Sequence, residues 1–146
     1  MKKIFPFFLY ITTLSVSVWQ PDFETAKRIA KEKHRLILLN FSGSDWCIPC
    51  IQMRKNIFEN ELFSKMADTT LVLLNADFPR NKKNQLKKAT QLQNDTLANI
   101  YNPGGKFPFT LLLDTNGKII RSWEGLPAFN AVKFAAQIKN ISDGYR

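Results

Sequence analysis

The sequence predicts an α/β fold, a three-layer α/β/α sandwich around a mixed central sheet, and three observations carry that reading. Two short and almost unbroken apolar runs, Leu36 to Phe41 and Leu71 to Ala76, have the form of strands buried on both faces, with a helical pattern between them. Near the end, Phe109 to Leu113 and Ile119 to Trp123 flank Thr115-Asn116-Gly117, a turn signal that makes them an antiparallel hairpin. Strands separated by helices pair in parallel through right-handed crossovers, and the hairpin adds antiparallel strands to the same sheet. The third observation is length: 146 residues is the size of one domain.

Taken in order, the chain opens with Lys2 and Lys3, an uncharged run from Ile4 to Val18, and the small residues Ser15-Val16-Ser17. This pattern reads as a secretory signal peptide over residues 1–17, leaving a domain over 18–146. The run is 15 residues, short for a membrane-spanning helix of about 20. An uncleaved anchor is the alternative, and only then would the protein be held at a membrane. Asp22 is a good N-cap, and Phe23, Ala26 and Ala30 recur at helical spacing with Lys31, Lys33 and His34 at the end that favours positive charge, so a helix is expected over 22–34. Gly43, Ser44 and Asp45 end the first strand. A helical pattern then starts at Cys47, and Asn60 is placed to cap a further short helix holding Leu62, Phe63 and Met66. After the second strand, polar helix-formers over 82–101 carry Leu86, Ala89, Leu92, Leu97 and Ile100 until Asn102-Pro103-Gly104-Gly105 stops them. A last helix is expected over 128–141.

Composition excludes several classes. Apolar residues are 45% and charged residues 23%, which argues against a disordered, collagen-like or coiled-coil chain. Without residues 1–17 the balance is 19 basic against 12 acidic residues, a net +7. Arg80, Lys82, Lys83, Lys87 and Lys88 concentrate that charge. The stretch reads first as a solvated helix face, with an acidic partner protein as the alternative. It lacks interleaved aromatics, and an exported protein rarely meets nucleic acid, so no nucleic-acid role is expected.

Cys47 and Cys50 are the two cysteines. They cannot make a disulfide scaffold or a four-cysteine zinc site, and His34 is the one histidine, so neither a metal nor another cofactor is expected. Export would place the pair where disulfides are made and broken. Cys47 falls at a helix N-terminus, where unpaired N–H groups and the helix dipole favour the thiolate that attacks disulfides. Pro49 suits the first turn, where its missing N–H costs nothing. Cys50, one turn in and expected to be the more buried, would attack the resulting mixed disulfide and release the product. A plain crosslink is the competing reading. So small a ring stabilises by only ~2 kcal/mol, which makes this a poor place for a purely structural bridge.

Trp46-Cys47-Ile48-Pro49-Cys50 after a buried strand, Phe107-Pro108 before another, and Asn116-Gly117 in the following hairpin resemble a thioredoxin-fold protein over residues 22–141. With Ser42-Gly43-Ser44-Asp45 in front, the chain is most similar to exported thioredoxin-like domains, including the C-terminal domain of the membrane thiol:disulfide interchange reductase. The resemblance implies a nucleophile at Cys47, a resolving thiol at Cys50 and a cis-proline at Pro108, whose neighbour Phe107 would offer backbone groups to an extended substrate chain. Trp46, Ile48 and Pro49 would border the bound substrate, and Phe107, Trp123 and Gly125 would line an apolar groove. It further implies reduction of protein disulfides outside the cytoplasm, in a periplasm for instance, with a membrane electron-donor protein as partner. A disulfide oxidase or isomerase, or a non-catalytic peptide-binding module, are the alternatives on the same fold. The chain departs from thioredoxins in one respect. Asn40 falls where they keep a buried aspartate, and Leu73 where its lysine partner usually sits, so both charges are gone together.

Overall fold

A computed structural model describes residues 18–145; the expected signal peptide over 1–17 lies outside the described residues. The elements are β1 (Trp19–Gln20), α1 (Phe23–Lys33), β2 (Leu36–Ser42), α2 (Ile48–Met53), α3 (Glu61–Thr70), β3 (Leu71–Asp77), α4 (Lys88–Tyr101), β4 (Phe109–Leu113), β5 (Ile119–Glu124) and α5 (Ala131–Asp143). The sheet runs β1-β3-β2-β4-β5. Its first three strands are parallel, while β4 and β5 run antiparallel to their neighbours, giving the mixed sheet and the thioredoxin fold.

The apolar runs of β2 and β3 are explained by cover on both faces. Leu36, Leu38, Leu71, Leu73, Leu112 and Trp123 pack with α3 and α5 residues such as Phe63, Phe134 and Ile138. Their sequence neighbours Ile37, Leu39, Phe41, Val72, Leu74, Leu111 and Leu113 pack on the other face against Ala26 and Ala30 of α1 and Leu97 of α4. A pleat of period two, covered by helices on both sides, leaves no solvated face. Asp22 caps α1, accepting from the Thr25 N–H at 2.7 Å, and Asn60 caps α3, accepting from the Leu62 N–H at 3.0 Å.

Several boundaries differ from the sequence expectation. The helix expected from residue 82 begins at Lys88: Asn81 caps a single 3₁₀ turn, Lys82–Asn84, after which Gln85 and Lys87 have extended backbones. The last helix begins at Ala131 because Asn130, not a residue near 128, caps it, accepting from the Lys133 N–H at 3.1 Å. α2 passes into a π-helical turn, Arg54–Phe58, in which the Glu59 N–H bonds the Arg54 carbonyl at 2.9 Å. The hairpin loop is held by Asp114, whose carboxylate accepts from the N–H groups of Asn116 and Lys118, with Gly117 at φ 89°. Nothing in the sequence pattern marks β1, since two residues carry no periodicity.

Register corrects one alignment. Asn40 stands opposite Asn75, while Leu73 stands opposite Leu38 in the core. The neighbour of Asn40 is therefore an asparagine two residues farther along than Leu73.

Candidate active site

β2 ends at Ser42, and the next five residues turn the chain into α2. The Gly43 carbonyl accepts the N–H groups of Trp46 at 3.3 Å and Cys47 at 2.9 Å, closing the turn. Gly43 is required there: a Cβ on it would overlap the Trp46 indole at Cε2. Cys47 is the N-cap of α2, and its Sγ accepts from the Cys50 N–H at 3.3 Å. Pro49 occupies the first turn, where no intrahelical donor is lost.

Cys47 and Cys50 are joined in a disulfide with Cα atoms 5.2 Å apart. Each residue is 5% exposed, so the greater burial expected for Cys50 is not found in this form. Between them Ile48 and Pro49 stand in solvent, Ile48 being 64% exposed.

Three contacts hold the half-buried Trp46. Its Nε1–H donates to the Phe78 carbonyl at 2.8 Å, and its ring meets the edge of Phe107 with centroids 5.5 Å apart. The Arg80 guanidinium lies 3.7 Å from the ring centroid. Phe107 also meets Phe78, at 5.6 Å, so three aromatic rings border the turn that presents Cys47. The Phe107–Pro108 peptide bond is cis. The Pro108 carbonyl accepts from the Gly125 N–H at 2.9 Å, whereas the backbone of Phe107 joins no turn or loop hydrogen bond among the described residues. Buried Asn102 holds the approach to this segment, donating to the Lys106 carbonyl and accepting its N–H, both at 2.9 Å. Trp123 does not line a groove. It is buried against Phe134, with centroids 5.0 Å apart, because position 123 of β5 faces the α5 layer.

A cavity of about 350 Å³ opens behind Cys50, bordered by Asn40, Ser42, Ser44, Asn75, Arg54 and Glu59 among others. A hydrogen-bonded chain runs along its wall. Thr110 Oγ1 donates to Asn40 Oδ1 at 3.0 Å, Asn40 Nδ2 to Asn75 Oδ1 at 2.8 Å, and Asn75 Nδ2 to Ser42 Oγ at 3.0 Å. Ser42 Oγ in turn lies 3.1 Å from Asp77 Oδ1, which also receives the Ser44 N–H at 2.8 Å. The amides of Asn40 and Asn75 thus find neutral partners in one another, Thr110 and Ser42, and the chain ends on the half-buried carboxylate of Asp77.

Asp45, two residues before Cys47, accepts from the N–H groups of Arg80 and Asn81, each at 2.9 Å, and from Asn84 Nδ2 at 3.0 Å. The Arg80 N–H first, then the Asn84 amide, hold its carboxyl below the ordinary carboxylate range. As site residues, Asn75, Asp77, Ser42, Ser44, Asp45 and Gly43 are visible only in the folded chain. The available signal was the polar pair Asn75 and Asp77 continuing the period-two pattern of Leu71 and Leu73.

The family model described as thioredoxin-like matches residues 18–115. The disulfide bond reductase DsbH of Chlamydia pneumoniae is 33% identical over 100 residues, covering 68% of this chain and 58% of that protein. The thioredoxin-related protein DsbJ of the same organism is 32% identical over 65 residues, covering 44% of this chain and 19% of that protein. The chain thus spans little more than half of one of these relatives and about a fifth of the other. Among solved structures, a DsbH oxidoreductase superposes with a TM-score of 0.79 at 23% identity, covering 96% of this chain and 95% of its own. A thioredoxin from Thermus thermophilus gives 0.63 at 14% identity, covering 88% of each chain.

Proposed function

This chain belongs to the thioredoxin-like family, and on that premise we propose that it is an exported thiol:disulfide oxidoreductase that reduces protein disulfides through Cys47 and Cys50. The observation that carries the reading is the Cys47–Cys50 disulfide at the head of α2, beside Trp46 and Phe107.

In the dithiol form, the Cys47 thiolate attacks one sulfur of a substrate disulfide. The new Cys47–substrate bond forms as the substrate S–S bond breaks and its other sulfur leaves as thiolate. Cys50 then loses its proton and attacks Cys47 Sγ, which releases the second substrate thiolate and leaves the Cys47–Cys50 disulfide. Two electrons pass from the dithiol to the substrate. The free backbone groups of Phe107 suit pairing with an extended substrate segment, while Trp46, Ile48 and Pro49 border it.

Turnover requires a two-electron donor, for which we propose a membrane protein that carries electrons outward. The charge pattern of residues 1–17 supports export to the periplasm or another extracytoplasmic space. The likeness to a disulfide bond reductase supports the reductive direction.

Insulin reduction with dithiothreitol tests the reading: the wild type accelerates it and Cys47→Ser does not, whereas no acceleration by the wild type overturns the enzymatic assignment. Cys50→Ser should trap substrates as mixed disulfides on Cys47. A reduction potential well above that of glutathione would instead assign the oxidase direction.

A further inference from the structure

We propose that the Arg80 to Lys88 segment is a docking surface for substrate polypeptides that are acidic next to their disulfide. This rests on the oxidoreductase reading above and names its substrate class.

Charge is the first ground. Residues 79–94 contain Arg80, Lys82, Lys83, Lys87 and Lys88 and no acidic residue. All five cations are exposed. The side-chain ion pairs of the described residues engage Lys27, Arg28, Arg54, Lys65, Lys106 and Lys139, and none of these five.

Placement is the second. Asp45 ties residues 80, 81 and 84 to the turn that presents Cys47, and the Arg80 guanidinium lies on the ring of Trp46, the residue before Cys47. Phe107 packs against the same ring. A chain paired with the Phe107 backbone while its disulfide meets Cys47 is therefore at the edge of the basic segment, which cannot drift away without breaking the Asp45 bonds.

The local cost of this charge is the third. Lys87 and Lys88 stand at the start of α4, which has no side-chain cap and no acidic residue in its first turn. Positive charge is disfavoured at that end of a helix. The segment thus concentrates cations where its own helix gains nothing from them, and an anionic partner supplies the compensation. The complementary group on a polypeptide is a run of aspartate or glutamate, which raises the encounter rate and fixes orientation.

The test compares disulfide-linked peptides carrying four glutamates, four glutamines or four lysines beside the cysteine. In low salt the wild type should show kcat/KM about tenfold higher for the glutamate than for the glutamine peptide, falling towards parity in high salt. The K82Q/K83Q/K87Q/K88Q variant should lose the preference while keeping its rate on the glutamine peptide. A ratio between two peptides on one enzyme cancels any change in Cys47 reactivity. Equal rates in the wild type, or a preference unchanged in the variant, overturn the proposal. So does salt-sensitive binding to phosphatidylglycerol vesicles without any peptide preference, which would assign the surface to a membrane. Failure to reduce even the glutamine peptide would instead count against the oxidoreductase reading. Binding of a cysteine-free glutamate peptide, expected to weaken about tenfold in the variant, then decides the docking surface separately.

Discussion

Asn40 and Asn75 face each other across the parallel pair β2 and β3, with Asn40 Nδ2 donating to Asn75 Oδ1 at 2.8 Å. Two neutral amides thus line the cavity behind Cys50. Proton removal from Cys50 has no charged group at these two positions, and the carboxylate that ends their hydrogen-bonded chain is Asp77.

Asn40→Asp would bury a carboxylate against the Asn75 carbonyl oxygen and lose the donated hydrogen bond. Burial raises the folded-state pKa of such a group above its unfolded value of about 4, so the penalty is absent below that pH and grows as pH rises through the folded pKa. Urea unfolding at pH 7 should show a loss of about 1–3 kcal/mol that shrinks towards pH 4. A loss independent of pH would refute the assignment of the penalty to charge.

Gly43→Ala sets a methyl group into the space that the Trp46 indole occupies. The ring must shift, breaking its bond to the Phe78 carbonyl and its contact with Phe107. We expect about 1–3 kcal/mol of destabilisation by overpacking. KM for protein disulfides should rise more than that for a small disulfide, as steady-state kinetics will show.

Asp45 clasps the 80–84 loop as a carboxylate. Its folded-state pKa is lowered, first by the Arg80 N–H and then by the Asn84 amide, so the clasp is fully present above the unfolded value and is lost as pH falls through the lowered one. Amide protection at Arg80 and Asn81 should persist from pH 7 to about 5 and fade below about 4. Asp45→Ala should lack it throughout, and equal protection in that variant would show that other bonds hold the loop.

His34 ends α1 in the left-handed region, at φ 52° and ψ 51°. Glycine takes that conformation without steric cost, so His34→Gly should raise stability by about 0.5–1 kcal/mol in urea unfolding. A loss instead would mean that the imidazole makes a stabilising contact.

The central strands and both N-caps of α1 and α3 were legible because each rests on a local pattern: an apolar run between breakers, or Asp22 and Asn60 just before a helical period. The Cys47-Ile48-Pro49-Cys50 turn was legible for the same reason. What escaped depends on contacts between distant residues. Asn75 became the neighbour of Asn40 only through strand register, which no single strand records. The start of α4 moved to Lys88 because Asp45, 39 residues before Asn84, bonds the 80–84 segment into a separate turn. Trp123 joined the core because pairing of β5 with β4 turned it towards Phe134.

The π-helical turn at Arg54–Phe58 amounts to one surplus residue wound into a helix that otherwise repeats every 3.6. It sets the angular phase between the two ends of that helix. Forcing the same residues into a plain α-helix would rotate everything beyond the turn by about 100° relative to Cys50. Phe58, now edge-on to Trp19 and close to Phe63, would swing off the core. The wide turn works as a phase shifter: it lets one continuous helix aim Cys50 by the sheet's rules at its head and Phe58 by the α3 layer's rules at its tail.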